Sequence, residues 1–130
     1  MKPQAVIPPE FEQAADALAL SPGVLSSGHL FLSGTTGSLP DGTMPKDPEA
    51  QMRSAWDKIG TVLQAGGLGF DAIVEMTSYH IGLQAHFDLF NRVRLDYLVA
   101  PYPAWTAVEV AGLRREGAIV EIRVIAQSGS

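Results

Sequence analysis

The chain has 130 residues, 46% of them apolar, no cysteine, and a net charge of −5 with only nine Lys and Arg. That length bounds one domain, residues 1–130, with one core. Disulfides, thiolate zinc sites and cysteine nucleophiles are excluded, and the acidic balance opposes nucleic-acid partners, whose affinity rests on cationic phosphate contacts.

Two further expectations concern membranes and location. No apolar run approaches the roughly 18 residues of a membrane span. The N-terminus lacks the basic-then-apolar pattern of a secretory signal, so a cytoplasmic location is expected.

Residues 1–20 open with Lys2-Pro3 and Pro8-Pro9, and the alanines at 14, 15, 17 and 19 suit a short helix or an ordered arm. Ser21-Pro22-Gly23 is a turn. Residues 24–26 and 29–33, joined by Ser27-Gly28, read as a β-hairpin with Leu30 and Leu32 on one face. Ser33-Gly34-Thr35 follows, then a loop over 38–46 containing Pro40, Gly42 and Pro45.

Asp47-Pro48-Glu49 marks a helix start: a capping carboxylate, a proline at the first helical position and an acid in the first turn. Met52, Ala55, Trp56, Ile59, Val62 and Leu63 then recur at three- and four-residue spacing, which predicts an amphipathic helix of about five turns. Gly66-Gly67 ends it. Residues 72–81 predict a strand. A second helix is expected over about 84–98, with Phe87, Phe90, Val93 and Tyr97 on or near its buried stripe.

The C-terminal stretch is the most informative. Pro101 and Pro103 impose an extended approach. In residues 105–111, Thr106, Val108 and Val110 alternate with Trp105, Ala107, Glu109 and Ala111, as in a strand. After the turn Arg114-Arg115-Glu116-Gly117, a last strand places Val120, Ile122, Val124 and Ala126 on one face and Glu121 on the other. The element order is β-β-α-β-α-β-β: a mixed sheet with two helices on one face. Both C-terminal strands carry apolar residues on each face, and self-association is the economical way to cover the second.

Glu121 is the residue here whose chemistry stands out. It reads either as an ion-pair partner, of Arg123 or of an arginine on a neighbouring subunit, or as a general base. Trp105 reads as an interface anchor or as a stacking wall for a flat substrate. His29, His80 and His86 share no metal-ligand spacing, so no metal is expected. Gly66-Gly67-Leu68-Gly69 follows a helix and lacks the Lys-Ser/Thr of a phosphate loop. With no dinucleotide fingerprint and no Ser-His-Asp signature, no cofactor is expected.

Tyr-Pro-Ala-x-Thr-x-Val-Glu-Val-Ala-x-Leu at 102–113, followed by Val-Glu-Ile-x-x-Ile-Ala at 120–126, resembles the end of the Rid family (YjgF-type, RidA-like), and the likeness extends over residues 21–127. The resemblance implies an α+β, chorismate-mutase-like fold, a homotrimeric barrel and small-molecule clefts between subunits. It implies that Glu121 orients a hydrolytic water and that Ser33, Gly34 and Thr35 form a pocket wall. It also places Tyr79, Asn91, Trp105, Thr106 and Ala107 with the substrate.

Two positions depart from the pattern. Enamine- and imine-hydrolysing members carry Arg where this chain has Trp105, and commonly Tyr where it has Gly23. An indole offers one neutral donor in place of a bidentate guanidinium, so the usual 2-imino acids lose their main anchor. The ribonuclease label that some relatives carry gains nothing from this charge balance. Two functions follow from the resemblance: a deaminase or hydrolase of a different small enamine or imine, or a non-catalytic small-molecule-binding or scaffold trimer.

Overall fold

The computed structural model describes residues 2–129. Asp47, in extended conformation, accepts a hydrogen bond at Oδ2 from the Ala50 N–H (2.9 Å), and helix α2 (Pro48–Ala65) starts there. The whole stripe Met52, Ala55, Trp56, Ile59, Val62 and Leu63 is buried. Gly66 stops the helix, and Gly67 turns the chain away at φ +77. Before it, strands β2 (Gly23–Ser26) and β3 (His29–Leu32) form the expected hairpin. Ser27 and Gly28 both have positive φ, 51 and 81, which matches the two-residue turn that suits the twist of paired strands.

The remaining elements are β4 (Ile73–His80), α3 (Leu83–Arg94), β5 (Ala104–Glu109) and β6 (Val120–Gln127). With an N-terminal strand β1 (Gln4–Val6) they build one six-stranded sheet in the order β1-β2-β3-β6-β4-β5. Only β4 and β5 run parallel, and α3 makes the crossover that parallel pairing requires. Leu30 and Leu32 of β3, Met76 of β4 and Val120, Ile122, Val124 and Ala126 of β6 point into a single core under α2 and α3. Trp56 sits at its centre against Phe70, Phe90 and Tyr97.

The expected order β-β-α-β-α-β-β is present, with two additions and one shortening. Residues 1–20 hold more than an arm: β1 pairs antiparallel with β2, and a third helix, α1 (Glu12–Leu18), ends at Ala19 in left-handed conformation. The helix expected to reach residue 98 stops at Arg94, and Tyr97 beyond it lies flat on Trp56 with ring centroids 5.7 Å apart. The mixed α+β sheet is as expected, with three helices instead of two. Its second face carries Phe31 opposite Ile125, and Tyr79 between Val108 and Glu121. No described helix is long and apolar enough to cross a membrane.

Candidate functional site

Where β3 ends, the chain leaves its hairpin partner and continues along β6. Thr35 and Ile122 exchange backbone hydrogen bonds, both 2.9 Å, while Ser33 donates its N–H to Pro22 O (3.0 Å) and its hydroxyl to Ser21 O (2.7 Å). Between these anchors lies Gly34. A Cβ there would stand 3.0 Å from the carboxyl carbon of Glu121, so the bare backbone at 34 is what lets that carboxylate lie across the strand. Glu121 is half-buried, and among the described residues no cation stands within salt-bridge reach of it. The pairing with Arg123 weighed from the sequence is therefore not made within the chain.

Ser33, Gly34, Thr35 and Glu121 line one cavity of about 480 Å³. Its apolar wall comes from Phe11, Ala14 and Leu18 around α1, with Leu20 and Pro22. Its far wall is cationic: Lys58 of α2 with Arg114 and Arg115. Lys58 Nζ donates to Thr36 O (2.8 Å), Ser38 O (3.2 Å) and Ser38 Oγ (2.9 Å), which holds the 36–38 segment against the helix. Burial lowers the Lys58 pKa to about 8, and the nearby Arg115 adds to the shift.

Gln51, wholly buried one turn into α2, fixes the turn that carries the arginines. It donates to Pro45 O (3.0 Å) and Gly117 O (3.1 Å) and accepts from Ile119 N–H (2.7 Å). One side chain thus ties α2 to the loop before it and to the entry of β6. A buried polar group with all its partners met is worth keeping, because removing any of them strands the others.

None of the other residues expected at the site lines this cavity. Tyr79 stands directly across from Glu121 on the neighbouring strand, sharing its face. Thr106 is exposed on that same face, one strand further out. Trp105 and Ala107 point the opposite way, beneath α3. The Trp105 indole is stacked with Phe87 (5.5 Å, interplanar 2°) and lies under the Arg94 guanidinium (4.3 Å). Asn91 accepts from Arg94 Nε (2.8 Å) and so belongs to this second cluster. Gly23, where relatives commonly have Tyr, is buried in β2: a Cβ there would meet Val62 at 3.0 Å and Leu30 at 3.3 Å. The sequence reading missed the α1 wall and the three cations. The one clue was that Lys58 lies three residues after Ala55 and four before Val62, on the flank of the apolar stripe.

Beneath the second cluster runs a buried polar pair. Trp105 Nε1–H donates to Ser78 Oγ (2.9 Å), and Ser78 Oγ lies 2.7 Å from His80 Nε2. His80 is fully buried, edge-on to Phe90. Burial pushes its pKa down to about 4 from an ordinary 6.5; Glu109 opposes the shift and His86 adds to it. The unfolded chain therefore takes up a proton below pH 6.5 that the folded chain refuses until about pH 4. Stability is full above 6.5 and falls through that window, by about 2–3 kcal/mol. Denaturant titrations at pH 7.5, 6 and 4.5 should show the loss, and His80→Asn should flatten most of it. An unchanged slope in the variant would assign the loss to other groups.

A family profile described as Endoribonuclease L-PSP matches residues 12–128. RutC family protein YjgH of Escherichia coli is 40% identical over 108 residues, 82% of this chain and 81% of that one. The 2-iminobutanoate/2-iminopropanoate deaminase of Bos taurus is 31% identical over 111 residues, 84% of this chain and 80% of that one. A solved structure of protein YJGH superposes with a TM-score of 0.90 at 34% identity, covering 100% of this chain and 99% of the other. The crystal structure of RidA from an Antarctic Psychrobacter superposes with a TM-score of 0.78 at 29% identity, covering 82% and 86%. A glycine at 34 under the carboxylate at 121, on a sheet of this order, is thus set in a fold shared with relatives named as deaminases, and the chain belongs to the L-PSP (YjgF/Rid) family.

Proposed function

We propose that this protein hydrolyses a small imine or enamine to the carbonyl compound and ammonia, with Glu121 as the water-orienting base. The observation that carries this is the Glu121 carboxylate itself. It lies over Gly34 in a cavity, half-buried and without an ion-pair partner among the described residues. A carboxylate so placed accepts a hydrogen bond from water and takes its proton as the oxygen bonds to the imine carbon. The same proton then goes to nitrogen, giving a carbinolamine; the hydroxyl proton follows it by way of the carboxylate, the C=O bond forms, the C–N bond breaks and ammonia leaves. In the 33–36 segment the Ser33 and Thr35 N–H groups are spent on Pro22 O and Ile122 O, so the Gly34 and Thr36 N–H groups are the ones to serve as neutral donors to the reacting centre.

The working form is a homotrimer. Phe31, Ile125, Tyr79 and Val108 form an apolar band on the sheet face away from α2 and α3, and closing three sheets into a barrel removes it from water. In that arrangement the Asn91–Trp105 cluster of one subunit approaches the Glu121 cavity of the next, which accounts for two groups of family positions lying apart in one chain. The alternative, a binding or scaffold trimer without chemistry, draws support from Trp105, whose indole is packed into its own chain.

The test is to follow ammonia release from small imines without a carboxylate, generated in situ by an amine oxidase, alongside light scattering. The expected results are acceleration over the buffer rate and a mass three times 13.9 kDa. A trimer that binds small molecules without accelerating any imine hydrolysis would leave the scaffold reading in place. A stable monomer would remove the barrel.

A further inference from the structure

The cationic wall of the cavity carries a hydroxyl that imine hydrolysis leaves unused. Ser38 is buried there, with its Oγ 2.9 Å from Lys58 Nζ and 3.4 Å from Arg115 Nη1. Both neighbours are donors when charged, and the hydroxyl proton meets no carbonyl or carboxylate among the described residues. A buried O–H normally has an acceptor, and the free amine of Lys58 is the one at hand. A neutral Nζ has two N–H groups and one lone pair. Its contacts match that count: Thr36 O (2.8 Å) and Ser38 O (3.2 Å) take the two protons, and the lone pair faces Ser38 Oγ. Ser33, on the same cavity, is not free in this way, because its hydroxyl donates to Ser21 O (2.7 Å).

We propose that Ser38 and Lys58 are a nucleophile and its general base, a second reactive centre of this chain, which is acylated by esters carrying an apolar acyl group. An amine within hydrogen-bond reach of a hydroxyl is the geometry that such activation needs. The charged groups lining the cavity with Lys58 are Arg115, Arg114 and Glu121. Burial, and after it Arg115, lowers the Lys58 pKa to about 8, so about a tenth of it is free amine at pH 7. Arg115, fixed by its bond to Gly42 O (2.7 Å), keeps an N–H beside Ser38 Oγ, where the acyl oxygen gathers negative charge. Nζ takes the Oγ proton as Oγ bonds to the acyl carbon. That proton passes to the alcohol oxygen as the ester C–O bond breaks and the alcohol leaves. Water then gives a proton to Nζ as its oxygen bonds to the acyl carbon, and Oγ leaves with that proton, freeing the acid. The apolar wall of Phe11, Leu18, Leu20 and Val62 suits an alkyl or phenyl acyl group. The pair works without Glu121, so its reaction stands apart from imine hydrolysis.

Labelling with phenylmethanesulfonyl fluoride tests this: Oγ bonds to sulfur, fluoride leaves, and peptide mapping by mass spectrometry locates the adduct. A single adduct is expected, on Ser38. Its rate should rise about tenfold from pH 7 to 9 and level off as Lys58 finishes titrating. A hydroxyl without a base would instead follow hydroxide, about a hundredfold over the same two units with no plateau. Ser38→Ala, which keeps both backbone contacts of Lys58, should lose the adduct and the Ser38-dependent release of 4-nitrophenol from 4-nitrophenyl butanoate. Lys58→Arg keeps a cation against the two carbonyls but cannot act as a base. Lys58→Met removes both. With the fold of each checked by circular dichroism, both should label about a hundredfold or more slower than the parent. An adduct on Lys58 or on a tyrosine in place of Ser38 would overturn the proposal. So would a rate that tracks hydroxide through pH 9, undiminished labelling in the Lys58 variants, or ester cleavage that survives in Ser38→Ala.

Discussion

Glu121→Gln is expected to lower imine hydrolysis about 10²–10⁴-fold while leaving the fold and the subunit association intact. The substitution keeps the length and planarity of the side chain and its ability to accept one hydrogen bond, so it still fits over Gly34, where no Cβ crowds it. What it loses is the capacity to take a proton from water. Because Glu121 has no salt-bridge partner among the described residues, removing its charge leaves no cation stranded within the chain. The competing role, an ion pair with an arginine of a neighbouring subunit, gives the opposite pattern. Breaking a buried pair by neutralising one member costs about 3–5 kcal/mol, and melting temperature and oligomer mass would both drop. Measuring turnover, melting and light scattering on the one variant therefore separates the two, and a large stability loss would end the catalytic assignment.

The parts of this fold legible in the sequence are those where a local rule and the tertiary structure agree. Asp47-Pro48 caps α2 because the capping carboxylate and the fixed proline φ are both local. Ser27-Gly28 makes its turn for the same reason. The buried set Val120, Ile122, Val124 and Ala126 follows from strand alternation alone. What was not legible depends on partners distant in sequence. β1 is three residues long and exists because Val24 and Leu25 hold it in register; no three-residue pattern announces that. Half of the site was readable from Gly34 and Glu121. The cationic half was not, because Arg114-Arg115 sits in a charged turn that looks like ordinary solvated surface. Its placement is set by Gln51, 66 residues away from the Gly117 carbonyl it holds.

The alternation of β5 was also correctly read, Trp105 opposite Thr106, yet the sequence left open which face meets the helices. Both faces of that strand carry apolar residues, and only packing against α3 decides. That decision gives the other large effect. Trp105→Ala is expected to destabilise the protein by about 2–4 kcal/mol, somewhat below the full cost of a core Trp because the indole is half-buried. Three interactions end together: the parallel stack on Phe87, the seat for the Arg94 guanidinium, and the hydrogen bond to Ser78 Oγ. Trp105→Phe retains an aromatic ring against Phe87 and loses the hydrogen bond, for about 1–2 kcal/mol. A graded loss in melting temperature, Ala below Phe below the parent, is the signature of an indole whose first task is to hold β5 to α3. If Trp105 serves chiefly as a wall for substrate, the order changes: both variants melt near the parent while the Michaelis constant for imines rises. Should stability and the Michaelis constant both move in Trp105→Ala but only stability in Trp105→Phe, the ring serves both tasks, and its contact with ligand comes from an aromatic face that Phe can replace.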